Sequence, residues 1–185
     1  EHDVHRHAEV HRLLAVEVDT DLRHAGAVGG GGAGQLLALV QRLDELLRQH
    51  GCHLETLVNV QMEGSEGMAL MRKLMEAFRQ SPPASLGGIK VAQVRDYKSL
   101  TIRLPDGSTG PLQAPPADMV MLDLELDGNY FAVRPSGTEP KVKFYMFSYC
   151  PPAESQDLNA AKQKLNQRLA ALETDIRAYV AQVTK

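Results

Sequence analysis

The sequence has no tryptophan, two cysteines and few aromatic residues, 5% of 185. The pair Cys52 and Cys150 supplies neither a disulfide framework nor a zinc site. A reducing cytoplasm is the expected setting. No apolar run approaches the ~20 residues of a membrane span, and the start lacks an apolar signal core, so no membrane partner is expected. Excess charge of one sign is absent as well, with 20 Lys+Arg against 23 Asp+Glu and a net charge of -3. That excludes a global basic field for nucleic acid and leaves room only for a local basic pocket. The first residue is Glu1 and not Met, which reads as a processed, truncated or excerpted chain. What is present suits a folded domain: 43% hydrophobic and 23% charged residues. The length fits one domain, or one domain plus a remnant of another, and a chain of this size buries roughly 70% of its unfolded surface.

The text changes character near residue 35. Residues 1–34 are rich in His, Arg, Ala, Val and Gly and end in Gly29-Gly30-Gly31-Gly32-Ala33-Gly34, an irregular lead-in of unclear origin. From Gln35 the apolar positions Leu36, Leu39, Val40, Leu43, Leu46 and Leu47 recur at helical spacing. An extended segment, His53 to Met62, follows. Ser65 is placed to cap a second helix and Glu66 to sit in its first turn; Met71, Leu74, Met75 and Phe78 form its stripe, and Pro82-Pro83 ends it. Met68, Met71 and Met75 read as core filler.

Strands are expected over Ile89–Tyr97, Ser99–Leu104 and Met119–Leu126. In the last of these Val120, Leu122, Leu124 and Leu126 alternate with Asp123 and Glu125. Asp127-Gly128-Asn129 is the turn to a partner strand from Tyr130, and another strand runs from Val142 to Tyr149. A long amphipathic helix through Leu158, Leu165, Leu169, Leu172, Ile176 and Val180 closes the chain. This order predicts an α+β fold, an antiparallel sheet under two helices.

Between the last two strands stands Arg134-Pro135-Ser136-Gly137-Thr138-Glu139-Pro140, then Lys141-Val142-Lys143. Each residue type suits a bound phosphate. Arg134 offers two parallel N–H donors, a geometry lysine cannot copy. Ser136 and Thr138 add hydroxyl donors, and Gly137 allows a turn through positive φ that points successive N–H groups into one concavity. Pro135 and Pro140 restrict the ends of the loop. Lys141 and Lys143 lie on one strand face and add positive potential as electrostatic support. Read alone, the string fits an ordinary hairpin loop as well.

The string at 134–145, Arg-Pro-Ser-Gly-Thr-Glu-Pro-Lys-Val-Lys-Phe-Tyr, resembles the C-terminal phosphate-binding motif of the α-D-phosphohexomutases, the family of phosphoglucomutase and phosphomannomutase. Glu63-Gly64-Ser65-Glu66-Gly67-Met68, Gly87-Gly88-Ile89-Lys90-Val91 and Val94-Arg95-Asp96-Tyr97 resemble other parts of the same terminal domain, in the same order. The resemblance covers about residues 35–184. It implies an antiparallel four-stranded sheet with two helices on one face, like the TATA-box-binding protein. Residues 35–52 would be a terminal helix left from a preceding α/β sugar-binding domain, and 53–185 the phosphate-binding domain. It also implies that Arg134, Ser136, Gly137 and Thr138 bind a substrate phosphate, with Lys141 and Lys143 in support.

The full-length enzyme so implied interconverts sugar 1-phosphate and 6-phosphate through a phosphoserine and a bisphosphate intermediate, with magnesium. Its other domains and a hexose phosphate are the expected partners. The family's Ser-His-Asn-Pro, Asp-Gly-Asp-x-Asp-Arg and Gly-Glu-x-Ser-Gly strings do not occur in this sequence. Phosphoryl transfer needs a nucleophile, a cation and positioning together. This chain alone is therefore expected to bind phosphate weakly and to carry no catalytic residue. A stand-alone, non-catalytic module for phosphorylated ligands or a partner protein is the alternative.

Other motifs weigh less. Gly29, Gly31 and Gly34 fit a dinucleotide fingerprint formally, but a flexible linker suits them better. Asp123, Glu125 and Asp127 would project about 7 Å apart along one strand face, too far to share an ion. Glu17, Asp19 and Asp21 repeat that spacing, and His2, His5, His7 and His11 form a histidine-rich tract suited to adventitious metal. His50, Cys52 and His53 lack a fourth ligand nearby, and packing is the reading there. No metal site is expected.

Overall fold

A computed structural model describes residues 32–62 and 66–185. Gly29, Gly31, Glu17, Asp19, Asp21, the four early histidines and Ser65, with the roles expected of them, lie outside the described residues. Three α-helices are found among those that are described: α1 (Gly32–His50), α2 (Gly67–Gln80) and α3 (Leu158–Val183). None is long and apolar enough to cross a membrane. The strands are β1 (Cys52–Gln61), β2 (Ser85–Leu86), β3 (Ile89–Asp96), β4 (Thr101–Arg103), β5 (Thr109–Pro111), β6 (Val120–Leu124), β7 (Tyr130–Pro135) and β8 (Lys141–Cys150).

The fold is α+β, but the sheet is larger than the four strands implied by the resemblance. It has eight strands, in the order β1-β8-β7-β6-β3-β4-β5, with β2 pairing β3 off that path. The additions lie at the ends of the order, where β1 joins β8 and the β4–β5 hairpin extends β3. Pro111 is tolerated in β5 because an edge strand can spare one ladder N–H.

The described residues divide into two compact units, one of them comprising residues 32–53 with 150–163. There the Ser155 hydroxyl sits within 3.1 Å of the Cys52 N–H, which donates to it, and 3.0 Å from the Cys150 carbonyl, which accepts from it. Both cysteines are buried free thiols. Arg48 and Gln156 exchange side-chain to backbone bonds, each 3.4 Å. Leu46 and Leu47 are the buried residues of the α1 stripe, whereas Leu36, Val40 and Leu43 are exposed.

The second unit, residues 54–149 and 164–185, holds one core. In β8, Val142, Phe144 and Met146 turn inward while Lys141, Lys143 and Tyr145 turn to the more open face, the period of two that a half-covered sheet demands. Helix α2 contributes Met71, Leu74, Met75 and Phe78, and α3 contributes Leu169, Leu172, Ile176 and Val180 to the same cluster. Both helices therefore cover one face. The Phe78 ring lies 5.6 Å from that of Phe131 and 4.7 Å from that of Tyr179, separations at which tilted aromatic pairs attract. On the open face Tyr130 stacks on Phe147 at 4.3 Å, and burial pushes its hydroxyl up to about 12.

Local departures have local causes. Met68 is 49% exposed and not core filler, because it faces away from the Met71–Phe78 stripe. Leu126 is 43% exposed, since β6 ends at Leu124 and the turn through Gly128, at φ 70°, has begun. Asn129 is buried at that turn: its Oδ1 accepts from Arg168 at 2.7 Å, Ser148 Oγ at 3.1 Å and Tyr149 N at 3.1 Å. Helix α2 has Glu66 as its N-cap, with no side-chain cap bond. Gly67 is forced there: a Cβ would stand 1.9 Å from the Met62 carbonyl oxygen. Gly67→Ala is accordingly expected to destabilise this chain by about 1–3 kcal/mol, read as a lowered urea midpoint. An unchanged midpoint would mean that the helix enters elsewhere.

Candidate functional site

The pairing of β7 with β8 sets Arg134 opposite Lys143 and Pro135 opposite Val142. Since Val133 and Phe144 face the core, Arg134 and Lys143 emerge side by side on the other face. The loop between the strands is pinned at its ends. Ser136 N donates to Lys141 O at 2.9 Å, Lys141 N to Glu139 O at 2.7 Å, and Met62 N to Pro140 O at 2.7 Å. Among the described residues the N–H groups of Gly137 and Thr138 have no acceptor.

Arg134, Ser136 and Gly137 line a cavity of about 420 Å³, together with Met71, Asp118 and Met119. The Arg134 side chain is exposed and makes no hydrogen bond or ion pair with the described residues. Thr138 is exposed on the loop and does not line the cavity. Lys141 is held by the Glu139 carboxylate, whose pKa the bond and charge of that lysine draw below the ordinary carboxylate range. Its charge is thus partly neutralised, while Lys143 has no such bond. Chemically, the arrangement offers an anion one guanidinium, one hydroxyl and two backbone N–H groups, the guanidinium and the N–H groups without partners among the described residues.

Gly137 differs from expectation. It is not among the glycines at positive φ, and a Cβ built on it meets nothing within 4 Å. The loop reverses without left-handed backbone at this point because the Ser136–Lys141 bond already closes it. Neither conformation nor packing demands glycine here.

Asp118 was not apparent as a site residue, since nothing in Pro115-Pro116-Ala117-Asp118 marks it. Arg79 explains its place. That guanidinium, 12% exposed, pairs with Asp118, with Asp96 at 3.3 Å and with Glu76 at 4.0 Å. Burial by itself would raise the Asp96 pKa. Hydrogen bonds from Ser99 Oγ and Lys98 N, with the charge and bond of Arg79, outweigh it and hold the carboxyl below its ordinary 3.8.

The acids once considered for a metal are engaged otherwise: Asp123 by Arg95 and by Gln93 at 2.7 Å, Glu125 by Lys90 at 4.0 Å. Among the described residues no three His, Cys, Asp or Glu groups gather as a metal site.

No family model matches the chain. The phosphoglucomutase of Staphylococcus aureus strain MRSA252 is 32% identical over 129 residues, which is 69% of this chain and 22% of that protein. That of strain N315 is 31% identical over the same shares. The chain thus spans about a fifth of the length of the curated relatives it matches. Among solved structures, an uncharacterised protein of Bacillus thuringiensis aligns with a TM-score of 0.31 at 15% identity, over 70% of this chain and 99% of that one. The di-domain ARO/CYC BexL gives 0.36 at 14%, over 94% and 59%. Alignments that weak bear on neither fold nor function.

Two outcomes check this geometry. A depressed carboxylate stabilises above its unfolded pKa, and that contribution is lost as pH falls through the folded value. The Asp96 carboxyl resonance should therefore titrate below 3.8, and Arg79→Met should move its midpoint upward. Gly137→Ala should leave the urea midpoint within about 0.5 kcal/mol, unlike Gly67→Ala. A large loss would place a packing role on Gly137.

Proposed function

Because this chain contains a domain of the phosphohexomutase family, we propose that it supplies the substrate-phosphate grip of a hexose-phosphate mutase. The observation that carries this reading is the Arg134 guanidinium, which lines a cavity, stands opposite Lys143 in the ladder and has no partner among the described residues. Cations directly opposite on neighbouring strands repel. A phosphate between them removes that repulsion and gains charge-assisted hydrogen bonds, bidentate from Arg134. Ser136 Oγ and the Gly137 and Thr138 N–H groups supply the remaining donors. The Ser136 N–H is taken by Lys141, so the backbone part of the grip begins one residue later than a nest centred on Gly137 would suggest. A glycine that the fold does not require is what close approach of a ligand to its backbone would call for.

In the complete enzyme the reaction would move a phosphoryl group between the 1 and 6 positions of a hexose, through a phosphoserine and a bisphosphate, in the cytoplasm. Arg134 would hold the phosphate that is not being transferred. Binding energy gained there fixes the reacting end of the sugar, which raises kcat/KM when that contact is kept in the transition state. Magnesium would stabilise the transferring charge. The described residues offer no ligand set for it, so it would rest on residues outside them, and no step assigned to this chain runs through it. Positioning is this chain's part in the chemistry.

Titration of the labelled chain with glucose 6-phosphate should move the amides of residues 134–138 at millimolar concentrations. Arg134→Ala should weaken binding by about 10- to 100-fold, the worth of a hydrogen-bonded charge, and Arg134→Lys should recover part of it. Glu139→Gln frees Lys141 and should tighten binding by a few-fold. Unmoved amides in that loop, or an Arg134→Ala chain that binds as well as the parent, would overturn the reading.

A further inference from the structure

Strand β1 stands at one end of the sheet and pairs only with β8. Met62, just past its end, donates its N–H to the carbonyl of Pro140, just ahead of β8, at 2.7 Å. End meets start, so the two strands run antiparallel, and the even-numbered residues of β1 turn their N–H and C=O groups toward β8. Burial keeps the same period. Val58 and Met62 lie in the core and Leu54 and Val60 pack against it, whereas Glu55, Leu57, Asn59 and Gln61 are exposed. The backbone groups of those four residues therefore point away from the sheet, and they have no partner among the described residues.

An open edge of this length is ordinarily defended by shortness, proline, lysine or a bulge. The other end of the sheet follows that rule, since β5 has three residues and ends on Pro111. By contrast β1 has ten residues without proline, glycine, lysine or arginine, and Glu55 is its one acid. Read outward from Leu57, the strand also matches itself. Thr56 and Val58 are both β-branched, Leu54 and Val60 are both apolar, and Glu55 on one side answers to the amide of Asn59 on the other.

We propose that β1 is a self-association edge, at which a second copy of this chain adds its own β1 antiparallel and centred on Leu57, making one continuous sheet. In that register the Glu55 carboxylate lies opposite the Asn59 amide of the other copy and accepts from it. The two Glu55 side chains stand four positions apart, about 13 Å, beyond the Debye length of about 8 Å. A centre at Glu55 would instead set the two carboxylates directly against each other. The outward backbone groups of Glu55, Leu57 and Asn59 meet as hydrogen-bonded pairs, about six bonds in all. The pairing is isologous and closes at two copies. One strand per copy is a small interface, so the dimer is weak and depends on concentration. The Arg134 site has no part in this inference.

Sedimentation of the chain between about 10 µM and 1 mM should show a monomer–dimer equilibrium. Amide exchange over the same range should slow with concentration at Glu55, Leu57 and Asn59. It should stay constant at Thr56, Val58 and Val60, whose N–H groups already face β8. Leu57→Lys sets two ammonium groups against each other at the centre and should weaken the dimer by about tenfold. Asn59→Lys creates two Glu55–Lys pairs and should tighten it severalfold, whereas Asn59→Glu should weaken it. Both sites are exposed, and unchanged amides of Phe144 and Met146 check that the variants are folded. A chain that stays monomeric to the top of that range overturns the proposal. So does a dimer that Leu57→Lys leaves intact, or one whose protected amides lie on the exposed apolar stretch 36–43 of α1. Protection of Glu55, Leu57 and Asn59 in the monomer would mean that another part of the chain covers the edge, which equally overturns it. Equal effects of Asn59→Lys and Asn59→Glu would overturn the pairing centred on Leu57.

Discussion

The register of β7 against β8 is the constraint on which the rest depends. Phe131 opposite Met146 and Val133 opposite Phe144 put four large apolar side chains into the core. A slip of β8 by one residue would turn Phe144 and Met146 to the open face and bring Lys143 inward, at the cost of burying a charge. Each fully buried side chain of that size contributes roughly 1.5–3 kcal/mol, so no contact in the loop could hold the wrong register against them. Arg134 and Lys143 are side by side because their neighbours in sequence are buried. The repulsion between them is imposed by the core, and it is the physical basis of the anion site proposed at the mouth of this hairpin.

A second set of bonds fixes what surrounds that mouth. Arg79 links the C-terminal turn of α2 to Asp96 at the end of β3 and to Asp118 ahead of β6. Arg103 adds a bond to the Arg79 carbonyl at 2.7 Å, which satisfies an end of α2 that the helix cannot satisfy itself. At the opposite end of the sheet Arg168 does comparable work, donating to Asn129 Oδ1 and to the Tyr149 carbonyl at 2.9 Å. Each of these guanidiniums has carboxylates or carbonyls within reach. Charge brought out of water at such depth is stable only when it is matched in this way.

Much of this was legible in the sequence where burial follows a period. The β8 alternation, the Met71–Phe78 stripe and the Leu165–Val180 stripe of α3 appear as spacing, because one covered face selects one set of positions. Leu126 and Met68 misled for the same reason: apolar character continued past the point where the backbone left the sheet, or lay off the stripe. The short strands β2 and β5 carry no pattern at two and three residues, whereas β1 and β4 were legible as extended segments and fell outside only the four-strand count that the resemblance implied. In the site, Arg134, Ser136 and Gly137 could be read from residue type, since a hairpin loop keeps its residues together in space. Asp118 and Arg79 could not. Their pairing spans 39 residues of chain and depends on how α2 crosses the sheet, which no local spacing encodes. The positive φ expected of Gly137 failed because glycine composition was read as turn chemistry when backbone bonds at Ser136 and Lys141 already make the turn.

The arginines divide into two groups. Arg79 and Arg95 are 12% and 11% exposed and lie on carboxylates, and Arg168 is half-buried against an amide oxygen and a carbonyl. Arg134 and Arg72 are exposed and have no side-chain partner among the described residues, each at a cavity. An exposed arginine on an even surface would need no explanation, for long charged side chains belong there. Both of these stand at concave walls, and both lie on elements whose other residues are fixed in the core. Folding fixes the backbone positions of both, while the side chains keep their freedom until a partner orders them. The role proposed for this domain would need that division, with some guanidiniums used up by the fold and others withheld from it.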